Sequence, residues 1–191
     1  MPKLWSETVA AHRDAVREAI LDAAAALVAA HGPTGVTMSR IAKDSGIGRA
    51  TLYKYFPDVD AILRAWHERQ IDAHLERLYE IRDRTEGAGR RLEAVLAGYA
   101  AMVSHRAAHD TEAAVELHRG EHVAAAHRRL HAFVRELIAD AAAAGAVRQD
   151  VPAGELAAYC LHALAAAGAL HEEAAVHRLV RTTLTGLQAD C

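Results

Sequence analysis

The sequence predicts an all-α protein of about nine helices, and three observations lead there. Apolar residues recur at three- and four-residue spacings along nearly the whole chain, which is the period of one buried helix face. The composition is rich in Ala, Leu, Arg and Glu, the strong helix formers. Only 4 prolines and 12 glycines punctuate the 191 residues. A chain of this length buries a sizeable core in one or two domains.

The first helix is expected from Ser6 or Glu7 to about His31, with Val9, Val16, Ile20, Leu27 and Val28 as its buried stripe and Gly32-Pro33 as its end. Val36 to Phe56, VTMSRIAKDSGIGRATLYKYF, then reads as two short helices joined by a tight turn. Thr37 supplies a hydroxyl for an orphan amide of the first short helix, Ile41 and Ala42 are its buried residues, and Gly46 stops it. In the second, Ile47, Leu52 and Phe56 form the buried side, while Arg49, Ala50, Thr51, Tyr53, Lys54 and Tyr55 face outward. Small residues, cations, hydroxyls and phenols on one exposed helix suit entry into a major groove and contact with phosphates and base edges. This is a helix-turn-helix pattern. Pro57 closes it and Asp58 is placed to cap the fourth helix.

The charge distribution agrees. The chain carries a net charge of -3, yet residues 1–56 hold seven Lys or Arg against five Asp or Glu, and residues 37–56 hold four cations against one acid. The basic part is the helix-turn-helix, where counterion release from phosphates would be needed.

The fourth helix is expected from Asp58 to about Arg84, burying Ile62, Leu63, Trp66, Ile71, Leu75 and Leu78. A linker over 85–89 leads to a fifth helix with Leu92, Val95, Leu96, Tyr99, Met102 and Val103. A shorter sixth covers about Asp110 to Arg119, and a seventh runs from about Glu121 to Ala144 with Val123, His127, Leu130, Val134, Leu137 and Ala141 on its buried face. Asp150 and Pro152 punctuate the chain before the eighth helix, and the ninth runs from about Glu172 to Leu187.

Five separated pieces give the N-terminal part a resemblance to the TetR (tetracycline-repressor) family of bacterial transcription regulators: Ile20-Leu21-Asp22-Ala23-Ala24, Ile41-Ala42, Gly46-Ile47, Leu52-Tyr53 and Phe56, in order over residues 20–56. Gly145, Arg148 and Asp150 resemble the family's C-terminal half more loosely. The resemblance implies a DNA-binding head at residues 1–56 and an effector-binding, dimerising domain at 57–191. It implies a homodimeric, cytoplasmic repressor of operator DNA released by a small-molecule effector, with the fourth helix as the lever between them. Arg49, Thr51 and Lys54 are the candidates for base or groove contacts, Thr37, Tyr53 and Tyr55 for phosphate positioning, and Arg40 is a further candidate. Arg17 matches a position that touches the DNA backbone in the family; on its own amphipathic helix it reads equally well as a solvated arginine. The chain departs from the family in having Gly48 where Ser or Thr usually precedes the recognition helix, and Val59 where the fourth helix usually starts with Lys.

Trp66, Tyr99, Met102, Val103, His127, Phe133 and Tyr159 are candidate effector contacts, each of which also reads as core. Ala163, Ala166, Ala167, Gly168, Leu179, Val180, Thr183, Leu184 and Leu187 offer the small and branched residues that suit a four-helix dimer interface, which a helix-turn-helix reading two half-sites favours over packing inside one chain.

Thirteen histidines include three pairs at i, i+4: His105 with His109, His118 with His122, and His127 with His131. That spacing puts two rings on one helical face and raises a metal-responsive alternative, with Glu116 or Glu121 as oxygen ligand, against ordinary exposed histidines. His127, on the expected buried stripe, would need a partner. A helical dimer that has lost DNA binding is the other alternative. No His-Glu-x-x-His, Gly-x-Ser-x-Gly or phosphate-cradling glycine loop is present, so an enzyme is not expected, nor a cofactor. Cys160 and Cys191 form no disulfide framework, which suits a reducing compartment, and no run of apolar residues has the length of a bilayer span.

Overall fold

The computed structural model describes residues 3–107 and 121–188, with side chains over 9–105 and 124–188. Eight α-helices lie in the described residues: α1 (Lys3–His31), α2 (Met38–Ser45), α3 (Arg49–Tyr55), α4 (Val59–Arg84), α5 (Ala88–Ala107), α6 (Glu121–Ala143), α7 (Ala153–Ala165) and α8 (Glu173–Thr185). Two 3-10 turns, Pro33–Gly35 and Ala166–Ala169, complete them. The sixth helix expected near 110–119 falls outside the described residues, so α6, α7 and α8 are the expected seventh, eighth and ninth. No described helix is long and apolar enough to cross a membrane.

The chain packs as two units. The first takes α1 to the middle of α4, up to Gln70, and the second continues from Ile71. This packing boundary lies beyond the division at residue 56 expected from the sequence, because the first turns of α4 bury Ile62, Leu63 and Ala65 in the same cluster as Ile20, Leu21, Ala24 and Leu27 of α1. Arg69 of α4 adds two ion pairs to α1, 2.7 Å to Glu18 and 2.8 Å to Asp22.

Local chemistry sets the ends of the short helices. The Thr37 hydroxyl accepts from the Arg40 amide at 3.3 Å, and Gly46 ends α2 in the left-handed conformation at φ 69°. The Ser45 hydroxyl, which the sequence did not single out, donates to the Ile41 carbonyl and accepts from the Ile47 amide, bridging helix and turn. Asp58 accepts from the Ala61 amide at 2.7 Å and so caps α4.

The second unit has its own core, with Leu92, Val95 and Leu96 of α5, Val134, Leu137 and Ile138 of α6, and Leu156, Leu161 and Leu164 of α7. Gly98 admits the Ile81 side chain so closely that a Cβ there would lie 2.7 Å from Ile81 Cδ1. Gly145, at φ 73°, ends α6, and its amide donates to the Ala142 carbonyl. Arg148 then holds Asp150 through two hydrogen bonds of 2.8 and 2.6 Å, while its own amide donates to the Leu187 carbonyl beyond α8.

Two stripe assignments need correction. Val9 is 55% exposed, and burial on α1 begins at Val16, since all of 9–15 is exposed. On α6 the early buried position is Ala126, not His127, which is exposed; an imidazole left in water needs no buried partner.

Candidate nucleic-acid interface and effector domain

Within the first unit, α3 is held by few anchors. Of residues 49–56, only Leu52 and Phe56 are buried, at 0% and 6% exposure. Arg49, Ala50, Thr51, Tyr53 and Lys54 are exposed, and Tyr53 is an exposed aromatic at 49%. Tyr55, expected outward, is half-buried against the core of this unit, so the outward face is narrower by one phenol.

Gly48 precedes α3 without a side-chain cap, and its carbonyl accepts from the amides of Thr51 and Leu52. Val59 is half-buried against the same core, which explains an apolar residue at the start of α4. Thr37 spends one acceptor lone pair on the α2 cap, and its O–H remains a donor. Arg40 turns back, its Nη1 donating to the Gly35 carbonyl at 3.0 Å. Arg17 of α1 is half-buried, its guanidinium carbon 5.4 Å from the centroid of the Phe56 ring.

In the second unit, the expected effector residues have different fates. Tyr99, Met102 and Val103 pack half-buried against the core, and Phe133 is buried in an edge-on contact with Tyr79 at 4.7 Å. Tyr159 is 45% exposed and His127 is exposed. Trp66 belongs to the first unit, where its indole N–H is buried with no hydrogen-bond partner. An open cavity of about 330 Å³ lies elsewhere, between the end of α6 and the start of α7, lined by Ile138, Ala142, Arg148, Gln149, Pro152 and Leu156 among others. None of the expected effector residues lines it.

Of the expected interface residues, Ala167, Val180, Thr183 and Leu187 are buried in the second unit's own core and offer no surface to a partner chain. Ala163, Gly168, Leu179 and Leu184 are half-buried and Ala166 exposed. Tyr159 adds an exposed ring beside them, its hydroxyl lying where a Cβ on Gly186 would be 2.8 Å away.

One histidine pair falls wholly within the described side chains: His127 is exposed, and His131 Nε2 donates to the Gly154 carbonyl at 3.0 Å. His109, His118 and His122 lie outside them. Among the described residues no group of three or more His, Cys, Asp or Glu is placed to hold a metal ion.

Residues 20–66 match the family model for bacterial regulatory proteins of the tetR family, and residues 92–189 match the model for the transcriptional regulator SbtR-like, C-terminal domain. The chain belongs to the TetR family. This TetR-family chain is 38% identical over 77 residues to an uncharacterised HTH-type transcriptional regulator of Mycobacterium tuberculosis, a match covering 40% of the chain and 38% of that relative. It thus spans well under half the length of the curated relatives it matches. Among solved structures it is similar to a TetR/AcrR-family transcriptional regulator from Thermobifida fusca, with a TM-score of 0.71 at 20% identity over 91% of this chain and 98% of that one. It is also similar to the transcriptional regulator FadR of Bacillus subtilis, solved in complex with stearoyl-CoA, with a TM-score of 0.67 at 15% identity over 90% and 99%. At such identities the likeness is one of fold.

Proposed function

We propose that this TetR-family protein is a sequence-specific DNA-binding regulator, a cytoplasmic homodimeric repressor released from its operator by a small-molecule effector. One observation carries the reading: α3 exposes Arg49, Ala50, Thr51, Tyr53 and Lys54 while Leu52 and Phe56 fix it from behind. Arg49 and Thr51 are the base or groove contacts. Lys54 and Tyr53, with the free O–H of Thr37, position the phosphates. The partner chain docks on the face carrying Tyr159, Ala163, Leu179 and Leu184, and a helix-turn-helix dimer reads two half-sites about one duplex turn apart.

The effector is held by the second unit. The stearoyl-CoA bound to the Bacillus subtilis neighbour supports a ligand domain in this fold without naming the ligand of this chain. Release needs a ligand that favours the dimer unable to fit the operator, and a hundredfold loss of DNA affinity corresponds to about 2.7 kcal/mol of differential binding.

The test is selection of a duplex from a random-sequence pool by the full chain, then binding to that duplex and to a scrambled one across a salt series. Specific binding with a steep salt slope is expected. Lys54→Ala should weaken both duplexes alike and lower the slope by about 1, whereas Arg49→Ala should cost about 1–3 kcal/mol on the selected duplex and relax one base position. Equal binding of the wild type to both duplexes would overturn the proposal.

A further inference from the structure

Phe56 directly follows α3, and its amide closes the last turn on the Leu52 carbonyl at 3.0 Å. Its ring is one of the two anchors that fix α3 in the first unit, at 6% exposure. The guanidinium of Arg17, reaching across from α1, lies 5.4 Å from the centre of that ring. A planar, weakly hydrated cation over an aromatic face is attracted by the ring's quadrupole. We propose that Arg17 is a positioning residue of the recognition helix, which holds Phe56 and so sets the orientation in which α3 presents Arg49 and Thr51 to the bases. A cation committed in this way adds to discrimination between sequences and not to the count of phosphates neutralised.

The proposal rests on the reading of α3 as the recognition helix, and the experiment separates the two. The full chain, Arg17→Met and Arg17→Lys are compared on the pool-selected duplex and its scrambled counterpart across a salt series, with the thermal midpoint of each protein followed by far-UV circular dichroism. Arg17→Met is expected to lower the ratio of selected to scrambled affinity by about threefold to thirtyfold, the range of a cation–ring contact. Scrambled-duplex affinity and salt slope should stay at wild-type values. Arg17→Lys keeps the charge but loses the planar stack, so it should recover only part of that ratio. A slope lowered by about 1 with both duplexes weakened alike, and restored fully by Arg17→Lys, would make Arg17 a phosphate contact and overturn the proposal. An unchanged ratio in Arg17→Met would overturn it too. Should Arg17→Met fail to fold, Arg17→Lys decides: a reduced ratio at the wild-type slope supports the proposal, and the full wild-type ratio sinks it. A wild-type chain that does not discriminate would instead remove the recognition-helix reading itself.

Discussion

The first unit presents its outward face on two short helices packed on the 29-residue α1, whereas the second builds its core from long ones. In the first, α2 and α3 have 8 and 7 residues, too few to be stable alone, and each depends on one or two buried side chains, α2 with the Thr37 cap and α3 without a side-chain cap. In the second, α5 and α6 run for 20 and 23 residues and share their burial over many Leu, Val and Ala positions. Yet both units seat an arginine on aromatic rings: Arg17 on Phe56, and Arg82 at 5.3 and 5.5 Å from the rings of Tyr79 and Phe133. The difference lies in how much structure hangs on a single residue.

That contrast breaks most sharply at the cores. Leu52→Ala removes the fully buried anchor of α3 and is expected to cost about 3 kcal/mol and to abolish specific DNA binding. Leu164→Ala, equally buried in the second unit, should cost a similar amount while leaving α3 in place. Urea unfolding gives the two stabilities, and retained discrimination in Leu52→Ala would refute the account of α3 as fixed by Leu52 and Phe56.

The glycines that end α2 and α6 make a matched pair. Gly46 and Gly145 have φ of 69° and 73°, and neither would bring a Cβ within 4 Å of a neighbour. Alanine at either site should therefore cost about 1–2 kcal/mol from backbone strain alone. Equal thermal shifts would confirm that the helix ends are alike and that the units differ only in what the ends position.

The smallest effect is one of pH. Hydrogen bonding to Arg148 holds the Asp150 carboxyl below its ordinary range, and Arg82 does the same for Asp83. A depressed folded-state value contributes stability that is present above the unfolded carboxylate range and lost as pH falls through the folded value. Both groups are exposed, so only a slight drop in melting midpoint is expected below about pH 4. Asp150→Asn should flatten it; an unaltered pH profile would show that the Arg148 pair adds nothing.

Legibility in the sequence follows the same division. The caps Thr37, Gly46 and Asp58 act on amides and turns within a few residues of themselves, and the structure places each as expected. Leu52 and Phe56 were legible for the same reason. Long helices were read correctly in type and extent, but not always in the side they bury. Val9 lies on a turn of α1 where the assumed stripe had run past the buried part of the helix, and on α6 the buried position falls one residue earlier, at Ala126; apolar spacing alone marks neither where burial stops nor which of two neighbours it takes. Tyr55 shows the limit within the short helices: a phenol one residue from a buried ring can face either way. Ala167, Val180, Thr183 and Leu187 were readable as interior or interface, and burial assigns them to the interior of their own chain. The Arg17 contact with Phe56 spans 39 residues of sequence and had no local signal.

Leu52 and Phe56 on one side of α3, and Arg49, Ala50, Thr51, Tyr53 and Lys54 on the other, share no member. Substitutions at such exposed positions ordinarily change stability by no more than about 0.5 kcal/mol. Mutation can therefore explore new operator preferences across those five positions without first eroding the fold that presents them. A duplicated copy of this gene could acquire a different target by a few surface changes, each intermediate remaining folded.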